Sequence, residues 1–333
     1  VTVPEPIDTS GLHFRPRVFV PLIIFLALVV HLLLPRLAVL DQSLRVFRSL
    51  SIGILAAALA AQALSYVANG ALLRVIVVSS RERLPLPRAA AIVMAASTVC
   101  LIAGGIVGYG AAVYQWTRKS GTSRETAAIT AWLPSVFDAG ALVVVALCSA
   151  IELLHGSRLP RSAIVAVIFV MSLLLFVIIG SFFAVSRADR LVALLRRAPL
   201  LRSRLTGTIE ELPRRLNIVS KALRQRGGVE AAACAMLNLV FDIFTLALVF
   251  LAAGYRISPS VLIAGYGVPL LLGRFSFLPG GIAVVEVGMT ALYTALGVPA
   301  QIAIAVILTY RFISFWLPTL AGIPVAIVLQ TRG

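Results

Sequence analysis

Phe277-Leu278-Pro279-Gly280-Gly281-Ile282-Ala283-Val284-Val285-Glu286 puts a helix breaker, two glycines and a carboxylate inside an apolar stretch. In lipid, backbone groups released from a helix find no water. Irregular chain persists there only inside protein or beside a wet cavity. A carboxylate at that depth costs about 2.5–3.5 kcal/mol on insertion scales and marks a functional site by default. The stretch reads as a broken helix, with Pro279, Gly280 and Gly281 as its turn and Glu286 just beyond it.

The rest of the chain supports a membrane setting. Of its 333 residues 60% are hydrophobic and 13% charged, and charge-free runs long enough to span a bilayer recur along it. Arg17 and Arg36 bracket one such run, Arg48 and Arg74 a second, Arg161 and Arg187 a third; two more follow Glu286 and Arg311. The fold class is therefore an all-α polytopic membrane protein, a single integral membrane domain over 1–333. The run beginning near Val18 has no signal-peptide cleavage site after it and reads as a retained first span. A net charge of +16 would suit nucleic acid. Most of the basic residues, however, lie between apolar runs, where Lys and Arg orient the chain and meet anionic lipid. Membrane lipids, not nucleic acid, are the expected partners. Cys100, Cys148 and Cys234 stand alone and the three His are scattered, so neither a metal site nor a cofactor is expected.

A second interrupted segment lies upstream. Residues 89–117 carry no charge, are too long for one ordinary span, and are broken by Gly104-Gly105. Folded back at that turn, each arm of about 13 residues reaches roughly 20 Å, short of a hydrocarbon core of about 30 Å. Gly104-Gly105-Ile106 and Gly280-Gly281-Ile282 stand 176 residues apart, and at the same offset Gly121 falls on Gly297 and Ala127 on Ala303. Weak internal symmetry with matching interrupted segments points to a transporter-type site. With both segments re-entrant, six full spans remain and the N-terminus is inside. The loops 74–88, 116–125 and 186–228, with both ends, then hold 21 of the 27 loop Lys and Arg on the cytoplasmic side. Eight full spans place only 17 of the 27 inside, so the positive-inside rule favours six plus two. The expected organisation is an inverted repeat, 18–150 and 161–330, in the cytoplasmic membrane. Residues 186–228 form a basic amphipathic segment at its inner face, either on anionic headgroups or packed against the ends of the spans.

Five ionisable residues fall well inside apolar runs: Asp138, Asp242, Arg274, Glu286 and Arg311. In hydrocarbon they should pair or line a wet cavity. Hairpin geometry can bring Glu286 to Arg311, whose planar fork of donors suits a phosphate. Gly280 and Gly281 open a half-helix whose N-terminus attracts anions. The competing reading makes these charges locks between helices, and the glycines a tight turn. There is no Walker A sequence, Gly-x-Ser-x-Gly or His-Glu-x-x-His, so hydrolase and ATPase chemistry lack support.

Leu278-Pro279-Gly280-Gly281-Ile282, Val285-Glu286, Gly297-Val298-Pro299, Tyr310-Arg311 and Trp316-Leu317-Pro318 with Gly322 resemble the transmembrane region of the lysylphosphatidylglycerol synthases, which also occurs as stand-alone membrane proteins. Asp138 matches that family's Arg…Asp span, but Leu133-Pro134-Ser135 stands where its arginine is expected, and Ala103 where a proline usually precedes the first glycine pair. The resemblance implies a lipid-handling domain. In the full-length synthases this region moves aminoacylated phosphatidylglycerol between leaflets, and a separate domain makes that lipid. The residues up to Gly333 contain no such domain, so synthase activity is not expected.

The expected function is a lipid flippase or transporter for an anionic or modified phospholipid, or a polyprenyl-linked lipid. Glu286, Arg311, Asp138, Gly280, Gly281, Asp242 and Arg274 would handle substrate. The alternatives are a membrane-embedded lipid-modifying enzyme, with Glu286 or Asp138 as general base, and a non-catalytic partner of an envelope enzyme. A homodimer is compatible with each.

Overall fold

The computed structural model describes residues 37–102, 106–156, 172, 227–274 and 279–331. Expectations for the first span, for Gly104-Gly105 and for the segment 186–228 lie outside these residues, as does the approach 275–278 to the second turn. Among the described residues the chain is helical, with no strand. That follows from the setting, because a helix satisfies every backbone group within its own segment.

A short amphipathic helix, α1 (Leu37–Arg48), precedes α2 (Ile52–Ser79), which is about 42 Å long at 1.5 Å per residue. Then come α3 (Leu86–Ile102), α4 (Ile106–Lys119), α5 (Arg124–Thr130), α6 (Leu133–Gly156), α7 (Gly228–Ala252), α8 (Pro259–Arg274), α9 (Val284–Ala295), α10 (Ala300–Arg311) and α11 (Leu317–Thr331). A π-helical segment, Phe312–Trp316, joins the last two. Four stretches are long and apolar enough to cross a bilayer: α2, α5 with α6, α7, and α10 through α11.

The centre of the bundle is α2 against α7. The Ser51 amide donates to the Ala252 carbonyl at 3.1 Å, the Thr245 hydroxyl lies 3.4 Å from the Ala58 carbonyl, and Ser65 donates to Asn238 at 2.7 Å. Partner numbers fall along one helix as they rise along the other, so the two run antiparallel.

Two hairpins flank this pair. The free ends of α3 and α4 meet near the C-terminus of α2, where Arg88 donates to the Ser120 hydroxyl at 2.8 Å. There Glu82 accepts from the Ser123 amide at 3.0 Å and the Thr126 hydroxyl at 2.9 Å. The arms are 17 and 14 residues long, against the expected 13, because α3 already starts at Leu86. In the second hairpin α8 runs against α9. Its free ends meet where Tyr293 donates to the Leu262 carbonyl at 2.7 Å, beside Phe250 close to the α7 C-terminus. Since α2 and α7 are antiparallel, the hairpins open at opposite ends of the bundle. The turn of the second packs against α3 of the first.

Each hairpin leans on the last span of the other half. Thr98 of α3 donates to the Thr319 carbonyl of α11 at 2.7 Å, and a Cβ on Gly322 would stand 2.6 Å from the Met94 carbonyl oxygen. Correspondingly, Ser149 of α6 donates to the Ala264 carbonyl of α8 at 2.6 Å, and a Cβ on Gly267 would stand 2.7 Å from the Ala146 Cα. Small residues let these backbones close without side chains between them. Helix starts follow one spacing: α2 and α7, at Ile52 and Gly228, and α5 and α10, at Arg124 and Ala300, are each 176 residues apart.

Candidate functional site at the second hairpin turn

The second turn is built by backbone conformations that side chains resist. Gly280 and Gly281 have φ of 66° and 65°, in the left-handed region. A Cβ on Gly280 would run into the Phe315 ring, and one on Gly281 would stand 2.8 Å from both Cα and O of Gly273. Ala283, capping α9, takes φ of 69° without being glycine. L-residues meet about 1–2 kcal/mol there. Ala283→Gly should therefore be neutral or stabilise by up to about 1 kcal/mol, after the cost of a more flexible unfolded chain. Its thermal unfolding midpoint in detergent checks this.

Arg311 ties this turn to α10. Its Nε donates to Glu286 Oε1 at 2.6 Å, its Nη2 donates to the Gly280 carbonyl at 3.0 Å, and its guanidinium lies over the Phe315 ring at 4.5 Å. Arg311 is only 5% exposed. Glu286 sits in the first turn of α9, where the helix dipole favours a negative charge. Its second oxygen, Oε2, is buried with no hydrogen-bond partner among the described residues. The sequence suggested that Glu286 meets Arg311, and the geometry places them together. What faces Arg311 from the turn is a glycine carbonyl, not a glycine N–H.

A second group surrounds Asp138 on α6. Its carboxylate accepts from the Asn69 amide of α2 and the Asn238 amide of α7, both at 3.3 Å, and Asn238 in turn accepts from Ser65. Arg274, the exposed last residue of α8, is close enough to Asp138, Cys100 and Tyr109 to act on each electrostatically. A third group is Asp242 on α7. Its Oδ2 accepts from both the Tyr266 hydroxyl of α8 and the Tyr310 hydroxyl of α10 at 2.5 Å, with Gln62 of α2 beside it.

The expected central grouping of five charges is thus resolved into three linked parts. Tyr310 and Arg311 are neighbours on α10 and join the Asp242 part to the Glu286 part. Asn238 and Asp242, four apart on α7, join the Asp138 part to the Asp242 part. Sequence reasoning missed Gln62, Ser65, Tyr66 and Asn69, although their signal was present. Polar residues at i, i+3, i+4 and i+7 make one helical face in an otherwise apolar span. Tyr266, Tyr310 and Phe315 carried no such signal, since aromatics at helical spacing are usually core. No group of three or more metal-ligating His, Cys, Asp or Glu side chains occurs among the described residues.

Four apolar spans, two hairpins opening at opposite ends and a polar centre define a polytopic helical membrane protein. A family profile described as the lysylphosphatidylglycerol synthase TM region matches residues 18–322, and the chain belongs to that family. It is also similar to UPF0104 membrane proteins of three archaea. In Methanothermobacter thermautotrophicus the identity is 38% over 88 residues, 26% of each chain. In Pyrococcus horikoshii it is 37% over 81 residues, 24% of each. In Methanocaldococcus jannaschii it is 31% over 102 residues, 31% of this chain and 30% of that one. These matches span a quarter to a third of the relatives' length.

Proposed function

We propose that this chain moves a lipid with an anionic or modified headgroup between the leaflets of the cytoplasmic membrane. The observation that carries the reading is the pair of helical hairpins, opening at opposite ends, with the second turn against α3 of the first hairpin and ionisable groups around it. Arms of 12 to 17 residues reach roughly 18–25 Å, less than a bilayer core of about 30 Å. These lengths support re-entrant hairpins, and the 176-residue spacing of helix starts on either side of the antiparallel α2–α7 pair supports reading 18–150 and 161–330 as an inverted repeat. Irregular backbone at membrane depth suits a protein-lined polar route.

Arg274 is the exposed cation at this junction, and it meets the headgroup phosphate while Asp138 balances it. Arg311 is held by Glu286 and the Gly280 carbonyl, so it fixes the turn and through it the route. The chain breaks no covalent bond in this reading and is not an enzyme. Basic residues at the hairpin base, Arg88, Arg118 and Lys119, face the anionic inner leaflet. The test is translocation of fluorescent lipids in proteoliposomes. Rates should exceed those of protein-free vesicles for at least one anionic lipid; equal rates across anionic lipids overturn the reading. A charge-assisted contact is worth about 1.5–3 kcal/mol, so Arg274→Ala should slow translocation roughly ten- to hundred-fold without unfolding the chain.

A further inference from the structure

Two of the long apolar stretches, α5 with α6 and α10 through α11, are broken along their length. The first gives way at Ala131 and Trp132, the second through the π-helical Phe312–Trp316. Backbone bonding departs from the α-helix at both places. The Trp132 amide donates to the Ile129 carbonyl at 3.3 Å, three residues back. The Leu317 amide donates to the Phe312 carbonyl, five residues back. A proline follows each break, Pro134 and Pro318, with no amide to donate and a ring that excludes the carbonyl four residues earlier. At the second break the Thr319 hydroxyl also donates to the Phe315 carbonyl at 2.7 Å, a back-bond that bends helices.

The breaks fall where each stretch passes from one hairpin to the other. α5 packs against α4 of the first hairpin, and a Cβ on Gly110 of α4 would stand 2.9 Å from the Ala131 carbonyl oxygen. Beyond the break, α6 packs against α8 of the second hairpin through Ser149 and Ala146. The other half mirrors this. α10 holds the second turn through Arg311, whereas α11 lies on α3 of the first hairpin. Thr98 donates there to the Thr319 carbonyl, and farther along Lys119 of α4 donates to the Gln330 carbonyl at 2.8 Å. Each hairpin is thus clasped by one part of both broken stretches, and the two bodies flank the α2–α7 pair.

Hinges are a few residues at element ends that absorb a change in φ and ψ, and single π turns recur at functional sites. We infer that Ala131–Trp132 and Phe312–Trp316 are hinges on which the two hairpins swing about the α2–α7 pair, and that the crossed stretches make them swing together. A bend at the second hinge carries α11, and with it the first hairpin, relative to the second turn. The device follows from packing and backbone geometry and needs no lipid. Where lipid does move, it opens the polar centre to one side at a time.

The experiment measures spin-label distances by double electron–electron resonance on the full chain in nanodiscs, with Cys100, Cys148 and Cys234 replaced by serine. Tyr114→Cys with Leu237→Cys relates the first hairpin to the core, and Thr294→Cys with Leu64→Cys relates the second. Leu64→Cys with Leu237→Cys reports on the core itself. All four positions are exposed. Two distance populations are expected at each hairpin pair, in the same proportion, and one at the core pair. A single population at either hairpin pair, different proportions at the two, or a split core pair overturns the inference. Pro318→Ala returns an amide to the second hinge and should remove the second population from both hairpin pairs. Survival of that population in folded Pro318→Ala, or its loss at one pair only, overturns the inference equally. Should that variant not fold, the proportions in the parent decide. Translocation assayed on the same preparation separates the two proposals. Moving lipid with single populations removes only this one, and two populations without lipid movement remove only the other.

Discussion

Arg311→Gln destabilises the folded chain by about 3–5 kcal/mol, the cost of removing one partner of a buried ion pair. The substitution leaves Glu286 with both oxygens unpartnered, since Oε2 already lacks a bond among the described residues, and it frees the Gly280 carbonyl. It also takes the cation from the Phe315 ring, a contact worth about 0.5–2 kcal/mol. Equilibrium unfolding in mixed micelles measures the loss. The paired change Glu286→Gln with Arg311→Gln should recover part of it, because no charge is then left alone. A coupling energy near zero in that double-mutant cycle would show that the 2.6 Å contact does not hold the turn. The same variants separate lock from route. A locking pair lowers stability, whereas a pair that only meets headgroup lowers translocation in a protein of normal stability.

Gly281→Val is the next largest effect, about 2–5 kcal/mol in the same assay. Left-handed backbone contributes about 1–2 kcal/mol, and forcing a side chain into packed space about 1–3 kcal/mol. The obstacle is backbone: a Cβ there would stand 2.8 Å from Gly273 Cα and O, and neither can rotate away. Gly273 is itself closed in by the Val285 side chain. The outcome that contradicts this account is a Gly281→Val protein as stable as the parent, which would mean the turn is not held against α8.

Much of the architecture was legible because its causes are local. Helix is the only structure open to apolar spans in lipid, so composition alone leads to a helical bundle. Gly280-Gly281 announces a turn because few other residues take φ near 65° at low cost. Short hairpin arms follow from counting residues, although α3, at 17 residues, proved four longer than expected. The site was legible only where charge marks it. Glu286, Arg311, Asp138, Asp242 and Arg274 stand out in any apolar run. Gln62, Asn69, Asn238 and the two tyrosine hydroxyls do not, because neutral polar and aromatic side chains are common in spans that merely pack.

Sequence by itself thus determined that this chain is a helical membrane protein of a recognisable family, broken at Pro279-Gly280-Gly281 and carrying buried charge. Tertiary structure alone decided which charges meet. Partners on α10, α9 and α7 are separated by tens of residues, and their approach depends on the antiparallel register of α2 with α7. That register is set by many weak interhelical contacts acting together, among them Ser65 with Asn238 and Thr245 with Ala58. No single residue encodes it, so it becomes visible only once the bundle is assembled.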